Sequence, residues 1–424
     1  MHKIERLLQT LAPKGVEFKT LEEVFEIKNG YTPSKNNPEF WEKGTIPWFR
    51  MEDIRENGRI LKDSIQHITP KALKSKKLFP KNSIIISTTA TIGEHALLIV
   101  DSLANQRFTF LSKKANCGIA LDMKFFFYQC FLLGEWCKKN TNVSGFASVD
   151  MTAFKKYKFP IPPLEIQQEI VKILDAFTEL NTELNTELKA RKKQYQYYQN
   201  MLLDFNDINS NHKDAKEKLA QKTYPKRLQT LLQTLAPKGV EFRKLGEVCD
   251  FQKGKSITKK AVTFGKVPVI SGGRQPAYYH NEANRSGETI AISSSGVYAG
   301  YVSYWDIPVF LADSFSVSPK QKTLMPKYLF HYLTTQQDAI HATKSTGGIP
   351  HVYSKDLQNF LIPIPPLEIQ QEIVKILDQF SILTTDLLAG IPAEIEARKK
   401  QYEYYREKLL TFKPLTPHKE VKKC

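Results

Sequence analysis

PIPPLEIQQEIVKILD stands at residues 160–175 and again, without a change, at residues 363–378. Two prolines followed by isoleucines at steps of four and three (Ile166, Ile170, Ile173) read as the start of a helix with an apolar seam. Proline suits a helix start because it has no N–H to leave unpaired and its ring presets φ. Working outward from this block, further duplicates appear on both sides. LLQTLAPKGVEF occurs at 7–18 and 231–242, and ARKKQYQYY at 190–198 returns as ARKKQYEYY at 397–405. The order is start block, long unique segment, helical block, then all three again. One architecture is used twice.

The repeats divide the chain into a start segment (1–18), a unique domain (19–159), a helix (160–205), a linker with the second start block (206–242), a second unique domain (243–362), a second helix (363–412) and a basic tail (413–424). The unique segments, about 141 and 120 residues long, are each of domain size. They share only landmarks. Lys28-Asn29-Gly30-Tyr31 parallels Lys253-Gly254-Lys255-Ser256, and Ile46-Pro47-Trp48-Phe49 parallels Val267-Pro268-Val269-Ile270. Ile84–Thr89 with Gly93 parallels Ile290–Ser295 with Gly300. Short β-branched runs (Ser83–Thr89, Ala96–Val100, Phe108–Leu111) read as strands, and Leu121–Lys139 and Pro326–His341 as helices. The expected fold is α+β: two mixed α/β domains joined by two long helices. Identical flanks around divergent inserts suggest a fixed scaffold carrying two interchangeable readers.

In the first helix the seam runs through Ile166, Ile170, Ile173, Phe177, Leu180 and Leu184; in the second, through Ile369, Ile373, Ile376, Phe380, Leu383 and Leu387. Matching seams in one chain predict that the helices pack on each other. The first carries a tandem repeat, TELNTELNTEL, at 178–188. Asp175 to Ala190 is 15 residues and Asp378 to Ala397 is 19, so the helices differ by one four-residue step. Such a step is ~6 Å of helix, a spacer adjustment if helix length sets the separation of the domains. Gly390-Ile391-Pro392 interrupts the second seam, and an internal proline should kink or break it.

The 424 residues hold 61 Lys and Arg against 44 Asp and Glu, a formal charge of +17. Hydrophobic residues at 41% and charged residues at 25% exclude a disordered chain. No apolar run approaches the ~20 residues of a membrane helix, and MHKIERLLQTLAPKG lacks a secretory signal. Cys117, Cys130, Cys137, Cys249 and Cys424 form no CxxC pair, which fits a cytoplasmic protein without structural zinc. Residues 19–159 hold 22 basic against 14 acidic groups, and 243–362 hold 14 against 8. The helical blocks are close to neutral. In the unique domains the cations accompany aromatic and amide groups: Trp48-Phe49-Arg50, Asn105-Gln106-Arg107, Gly272-Gly273-Arg274-Gln275 and Tyr278-Tyr279-His280. Cations position a protein on phosphates, while Arg, Asn, Gln and Ser read base edges. Two basic readers on a helical spacer fit a bipartite duplex site.

Catalytic signatures are missing. Gly254-Lys255-Ser256 has Cys249 where a phosphate loop needs glycine. No Gly-x-Gly-x-x-Gly or Asn-Pro-Pro-aromatic motif is present, and Glu52-Asp53 and Glu94 read as exposed loop carboxylates rather than a nuclease cluster. His280, His341 and His351 are scattered, with ordinary surface or hydrogen-bonding roles, so no catalytic or metal-binding residue is assigned. A single-chain nuclease or methyltransferase with an unrecognised site, and a coiled-coil scaffold without DNA contact, are the alternative readings.

The start block, variable domain and Ile-Pro-Pro-Leu-Glu-Ile-Gln-Gln helix, all repeated, resemble the DNA specificity subunits of type I restriction-modification systems. The resemblance covers essentially the whole chain. It implies that 19–159 and 243–362 are target recognition domains, each reading half of a split site. It also implies that the helices form an antiparallel coiled coil that fixes the spacer and docks two modification (methyltransferase) subunits, with restriction-translocase subunits as further partners. S-adenosylmethionine, ATP and Mg²⁺ then belong to those partners, and none to this chain. Candidate DNA contacts in the first domain are Tyr31, Thr32 and Lys35, then Trp48, Arg50 and Arg55, then Thr88, Thr91 and Arg107. Those in the second are Lys255, Ser256 and Arg274, the tyrosines Tyr278, Tyr279 and Tyr298, and Ser294 with Ser295. The loops before each helix, Ser144–Ser148 and Ser345–Ile349, are further candidates, and Ser148 and Lys344 complete the set.

Overall fold

The computed structural model describes the chain except residues 1, 74–76, 143–146, 212, 321, 346–347, 386–389 and 416–424. Its contacts form two compact units, one of residues 1–183 with 396–424 and one of residues 184–395. The helix Leu164–Leu203 is shared between them, as is the helix Ile391–Leu410.

In the first unit, strands Phe25–Asn29, Phe108–Lys113, Ile84–Ser87, His95–Leu98 and Ile60–Leu61 form one sheet in that order. A smaller sheet places Ile46–Phe49 between His67–Ile68 and Leu103–Ala104. Glu17–Thr20 pairs with Lys158–Ile161 and draws the two ends of the domain together. The second unit repeats this plan. Cys249–Lys253, Ser314–Pro319, Thr289–Ser293 and Val302–Trp305 form one sheet; Val267–Ile270 lies between Tyr278–His280 and Phe310–Leu311 in another; Phe242–Lys244 pairs with Leu361–Pro363. Two divergent sequences therefore share one strand order, to which the first domain adds the edge strand Ile60–Leu61.

Hydrogen bonding corrects one landmark. The N–H of Gly30 donates to Phe108 O and that of Tyr31 to Ala104 O, while Gly254 and Lys255 donate to Ser314 O and Leu311 O. Gly30 thus matches Gly254, one residue away from the match that sets Lys28 beside Lys253. A Cβ at Gly30 would lie 2.2 Å from Asn105 O, and one at Gly254 would lie 2.6 Å from Ala312 O, so only glycine admits this backbone crossing. The helix expected over Leu121–Lys139 runs Met123–Lys139, whereas that over Pro326–His341 breaks at Gln336 into Pro326–Thr335 and Gln337–Ala342.

The identical helical blocks act as sockets. Buried Gln167 donates to Ala120 O (2.9 Å) and Pro162 O (2.7 Å) and accepts from the N–H of Asp122 (2.8 Å), the residue that caps Met123–Lys139. Buried Gln370 donates to Thr323 O (2.8 Å) and Pro365 O (2.7 Å) and accepts from the N–H of Met325 (2.9 Å), which precedes Pro326–Thr335. Two further pairs repeat. Lys124 meets Asp175 and Lys327 meets Asp378, both at 2.6 Å. Lys3 meets Glu169 at 2.6 Å, and Arg227 meets Glu372 at 3.0 Å.

The seam has two faces rather than one. Ile166 and Ile170, with Leu174, lie in the same core as Phe125, Phe126 and Phe159 of the first domain. Ile369 and Ile373, with Leu377, do the same in the second. The helix-on-helix row begins later. Phe177 packs 5.6 Å from Tyr405 and 6.3 Å from Tyr402, ring centre to ring centre, and Tyr198 stacks 4.9 Å from Phe380. Ile173, Ile376 and Leu180 are half-buried and Leu184 is buried. Leu383 departs from the expected seam: it is 45% exposed, and Thr384, at 1%, faces inward. A step of four residues from Phe380 overshoots a full turn by about 40°, whereas a step of three falls about 60° short. The Thr384 hydroxyl is satisfied by Phe380 O at 2.8 Å. Leu387 lies outside the described residues. Gly390 stands outside both helices and Pro392 is the second residue of Ile391–Leu410, where its missing N–H leaves nothing unpaired. The second block is therefore written as two helices, Leu367–Thr385 and Ile391–Leu410, as its proline required.

Candidate nucleic-acid interface

The first domain holds a cleft of about 300 Å³ between its two sheets' loops, lined among others by Thr32, Lys35, Arg50, Arg55, Thr91 and Arg107. These six sequence-read candidates, with the buried Trp48 as a seventh, thus come together from four separate stretches of chain. Asp53 lies behind the cleft. Fully buried in the helix Met51–Asn57, it accepts from the N–H groups of Arg50 and Ile65, both at 2.6 Å, and so fixes the turn that presents Arg50. It is a structural carboxylate, not the exposed loop group that its sequence suggested. Glu94 is tied to Arg59 at 2.5 Å beside an adjoining hollow of about 390 Å³ that shares Met51, Arg55 and Thr91. Asn105 and Gln106 also line the cleft, and Thr32 donates to the Gln106 amide oxygen.

Three first-domain candidates are placed differently. Trp48 is 2% exposed, its indole N–H donates to Tyr31 O at 2.9 Å, and its ring meets Trp41 edge-on at 5.0 Å. It supports Arg50, whose guanidinium lies 5.8 Å from its ring centre, and forms the cleft's floor. Thr88 is buried, with its hydroxyl 3.0 Å from that of Thr109. Tyr31 packs against the Trp48 core and faces another cavity, of about 760 Å³, with Lys28, Lys77 and Phe79. Ser148 is half-buried and bridges Thr89; its neighbours 143–146 lie outside the described residues.

The second domain assembles a different surface at the corresponding loops. Exposed Arg274 lies over Tyr298 and Tyr301, 4.9 and 5.7 Å from their ring centres, in an aromatic cradle. A Cβ on Gly272 would lie 2.5 Å from Ser295 O, so glycine lets this loop approach the Ser295 backbone. The Ser295 hydroxyl donates to Asp313, and Ser294 takes part through backbone bonds to Asp313 O and from Val352 N–H. Lys344 reaches Val297 O at 3.3 Å and ties the loop before the second helix to this rim. Lys255 and Ser256 are exposed. On the strand Tyr278–His280 the side chains alternate: Tyr279 is 55% exposed, whereas Tyr278 is half-buried and packs against Val269, Phe310 and Ala312. His280 is buried and bonded to Thr263 at 3.1 Å. Asp313 and Tyr301 are surface residues that the sequence did not single out. Among the described residues no three His, Cys, Asp or Glu side chains gather into a group that could hold a metal ion, and no helix is long and apolar enough to cross a membrane.

Two surfaces of unlike side chains on one repeated scaffold define a modular recognition protein. The sequence model of the type I restriction modification DNA specificity domain matches residues 13–194 and again 237–397. The type I restriction enzyme EcoprrI specificity subunit of Escherichia coli is 40% identical over 402 residues, covering 91% of this chain and 93% of that one. The EcoR124I/EcoR124II specificity subunit, also of Escherichia coli, is 33% identical over 313 residues, covering 65% and 70%. In fold, the chain resembles the crystal structure of the type I restriction-modification S subunit from M. genitalium, with a TM-score of 0.55 at 19% identity over 93% of this chain and 95% of that one. The chain belongs to the type I restriction-modification DNA specificity subunits, and it carries two DNA specificity domains.

Proposed function

We propose that residues 19–159 and 243–362 each read one half of a bipartite duplex target, and that the paired helices set the spacing between the halves and dock two modification subunits. Methyl transfer from S-adenosylmethionine, and cleavage driven by ATP with Mg²⁺, then occur on partner subunits in the cytoplasm. The observation that carries this reading is the duplicated socket. Gln167 and Gln370, and Asp175 and Asp378, make matching bonds to two domains whose exposed side chains differ, and Glu169 and Glu372 make matching bonds to the helices that precede them. A scaffold kept identical under divergent surfaces is what two independent specificities on one frame require. Within the first cleft, Lys35, Arg50, Arg55 and Arg107 supply phosphate and base donors, while Trp48 and Thr88 hold the frame. In the second, Arg274, Tyr279, Tyr298, Lys255 and Ser256 take that part.

The test has two arms. The chain assembled with its modification subunits is offered a randomised duplex library, and two conserved half-sites at fixed spacing are expected; a single continuous motif counts against the reading. The chain alone is incubated with DNA, Mg²⁺, ATP and S-adenosylmethionine. Absence of methylation and cleavage is expected, and turnover would instead make the chain itself an enzyme.

A further inference from the structure

Backbone hydrogen bonds match the two domains residue by residue and isolate one position of opposite chemistry. In the first domain the N–H of Thr88, just past Ser87, donates to Arg107 O at 3.2 Å, and Phe108 pairs with Ser87. In the second the N–H of Ser294, just past Ser293, donates to Asp313 O at 3.0 Å, and Ser314 pairs with Ser293. Upstream, Asn105 N–H bonds Phe49 O at 3.0 Å, and Ala312 N–H bonds Ile270 O at 2.8 Å. Arg107 and Asp313 therefore hold the same place, the last before the same strand. The first domain has one extra residue in the turn, Gln106.

Both side chains are exposed. Among the described residues the Arg107 guanidinium makes no hydrogen bond or ion pair and faces the cleft. Asp313 accepts the Ser295 hydroxyl on one carboxylate oxygen, which steadies the group and leaves the other oxygen open. Ser295 is packed against Gly272, two residues from Arg274 and its tyrosine cradle, so Asp313 belongs to the same rim. A carboxylate there opposes phosphate binding, on a domain that otherwise holds 14 basic groups against 8 acidic ones. Base edges offer it a partner that phosphates do not.

We infer that Asp313 is a base-reading residue of the second domain and that it works with polarity opposite to Arg107. A guanidinium has only donors, and guanine presents two acceptors, O6 and N7, in the major groove. An ionised carboxylate has only acceptors, and the donors in that groove are the exocyclic amino groups of cytosine and adenine. Arg107 reads a guanine in one half-site, and Asp313 reads an amino-bearing base in the other. This rests on the two-domain reading above.

The experiment compares wild type, Arg107→Ala and Asp313→Ala, each full chain assembled with its modification subunits, by sequencing duplexes selected from a randomised library. Asp313→Ala is expected to lower the preference for one cytosine or adenine in one half-site by roughly 5- to 150-fold and to leave the other half-site unchanged. Arg107→Ala is expected to do the same at a guanine in the opposite half. Which amino-bearing base is read follows from the wild-type motif. Wild-type half-sites with an Asp313→Ala motif identical to them, or with loss spread evenly over both, would overturn the inference alone. Absence of half-sites in wild type would overturn the two-domain reading itself. If Asp313→Ala melts early, Ser295→Ala, which frees the carboxylate, is expected to weaken preference at the same single base pair, and no change there would overturn the assignment.

Discussion

Asp175 and Asp378 occupy the same place in two identical stretches of helix, yet their second partners differ. Each takes a lysine at 2.6 Å; Asp175 adds the Tyr128 hydroxyl at 2.6 Å, and Asp378 adds the His331 imidazole at 3.1 Å. Partial burial pushes the Asp378 carboxyl up, but the bonds from His331 and Lys327 outweigh it and hold the group below its ordinary 3.8. A lowered carboxyl stabilises the fold fully above its unfolded value and loses that contribution as pH falls through the folded value. Asp378→Asn is therefore expected to cost stability at neutral pH, with the gap to wild type narrowing as pH falls below 3.8, measured by denaturant unfolding across pH. A constant gap would deny the linkage. Gln167→Ala removes the partner of the buried Pro162 carbonyl and of the part-buried Asp122 N–H and Ala120 carbonyl, and about 1–3 kcal/mol of stability should be lost on thermal unfolding. At the surface, Arg50→Ala and Arg274→Ala should each weaken one half-site by about 1–3 kcal/mol and spare the other, as read by competition with half-site-mutated duplexes. Arg50 and Arg274 stand out in sequence as cations beside aromatic and amide groups, and the structure sets Arg50 in the first cleft and Arg274 over its tyrosines. The places of Trp48, Thr88 and Tyr278 were not legible, because an amphipathic side chain is sorted inward or outward by strands that lie far away in the chain. Asp313 was hidden for a related reason: the turn containing it is one residue shorter than its counterpart, and only hydrogen-bond register aligns the two.

At the scale of elements, identity made the scaffold readable and divergence made the domains hard. Sixteen unchanged residues announce a helix and its repetition. Which isoleucines face the domain and which face the partner helix was not evident, since steps of four and three serve both. Pro392 was expected to kink or break the second helix; it stands in the first turn of Ile391–Leu410, the one place in a helix where its missing N–H costs no bond. Within Leu164–Leu203 the tandem repeat is unbroken helix, with the Thr178 and Thr182 hydroxyls bonded one turn back at 2.9 and 2.8 Å. Deleting one Thr-Glu-Leu-Asn unit removes ~6 Å of rise without opening the helix. The recognised spacer is expected to shorten by one or two base pairs, each ~3.4 Å, with both half-sites retained. Methylome sequencing of cells carrying the variant would read this directly, and an unchanged spacer would separate helix length from spacing.

Across the whole molecule, charge and repetition are divided between parts. The two unique segments hold 36 of the 61 basic residues and only 22 of the 44 acidic ones, while the repeated helices are near neutral. Each start block pairs with chain just beyond a helix end, Val16 with Pro414 and Val240 with Asn209, so each domain is fastened at its base by the same set of contacts. The central claim is that the sockets are interchangeable and the readers independent. Placing residues 19–159 where 243–362 stand tests it most directly, because Lys124 and Tyr128 would then meet Asp378 in place of Lys327 and His331. Assembled with its modification subunits, the chimera should select duplexes carrying two copies of the first half-site at the wild-type spacing. Retention of the second half-site, or a folded chimera that selects a motif unrelated to either half, would contradict the account.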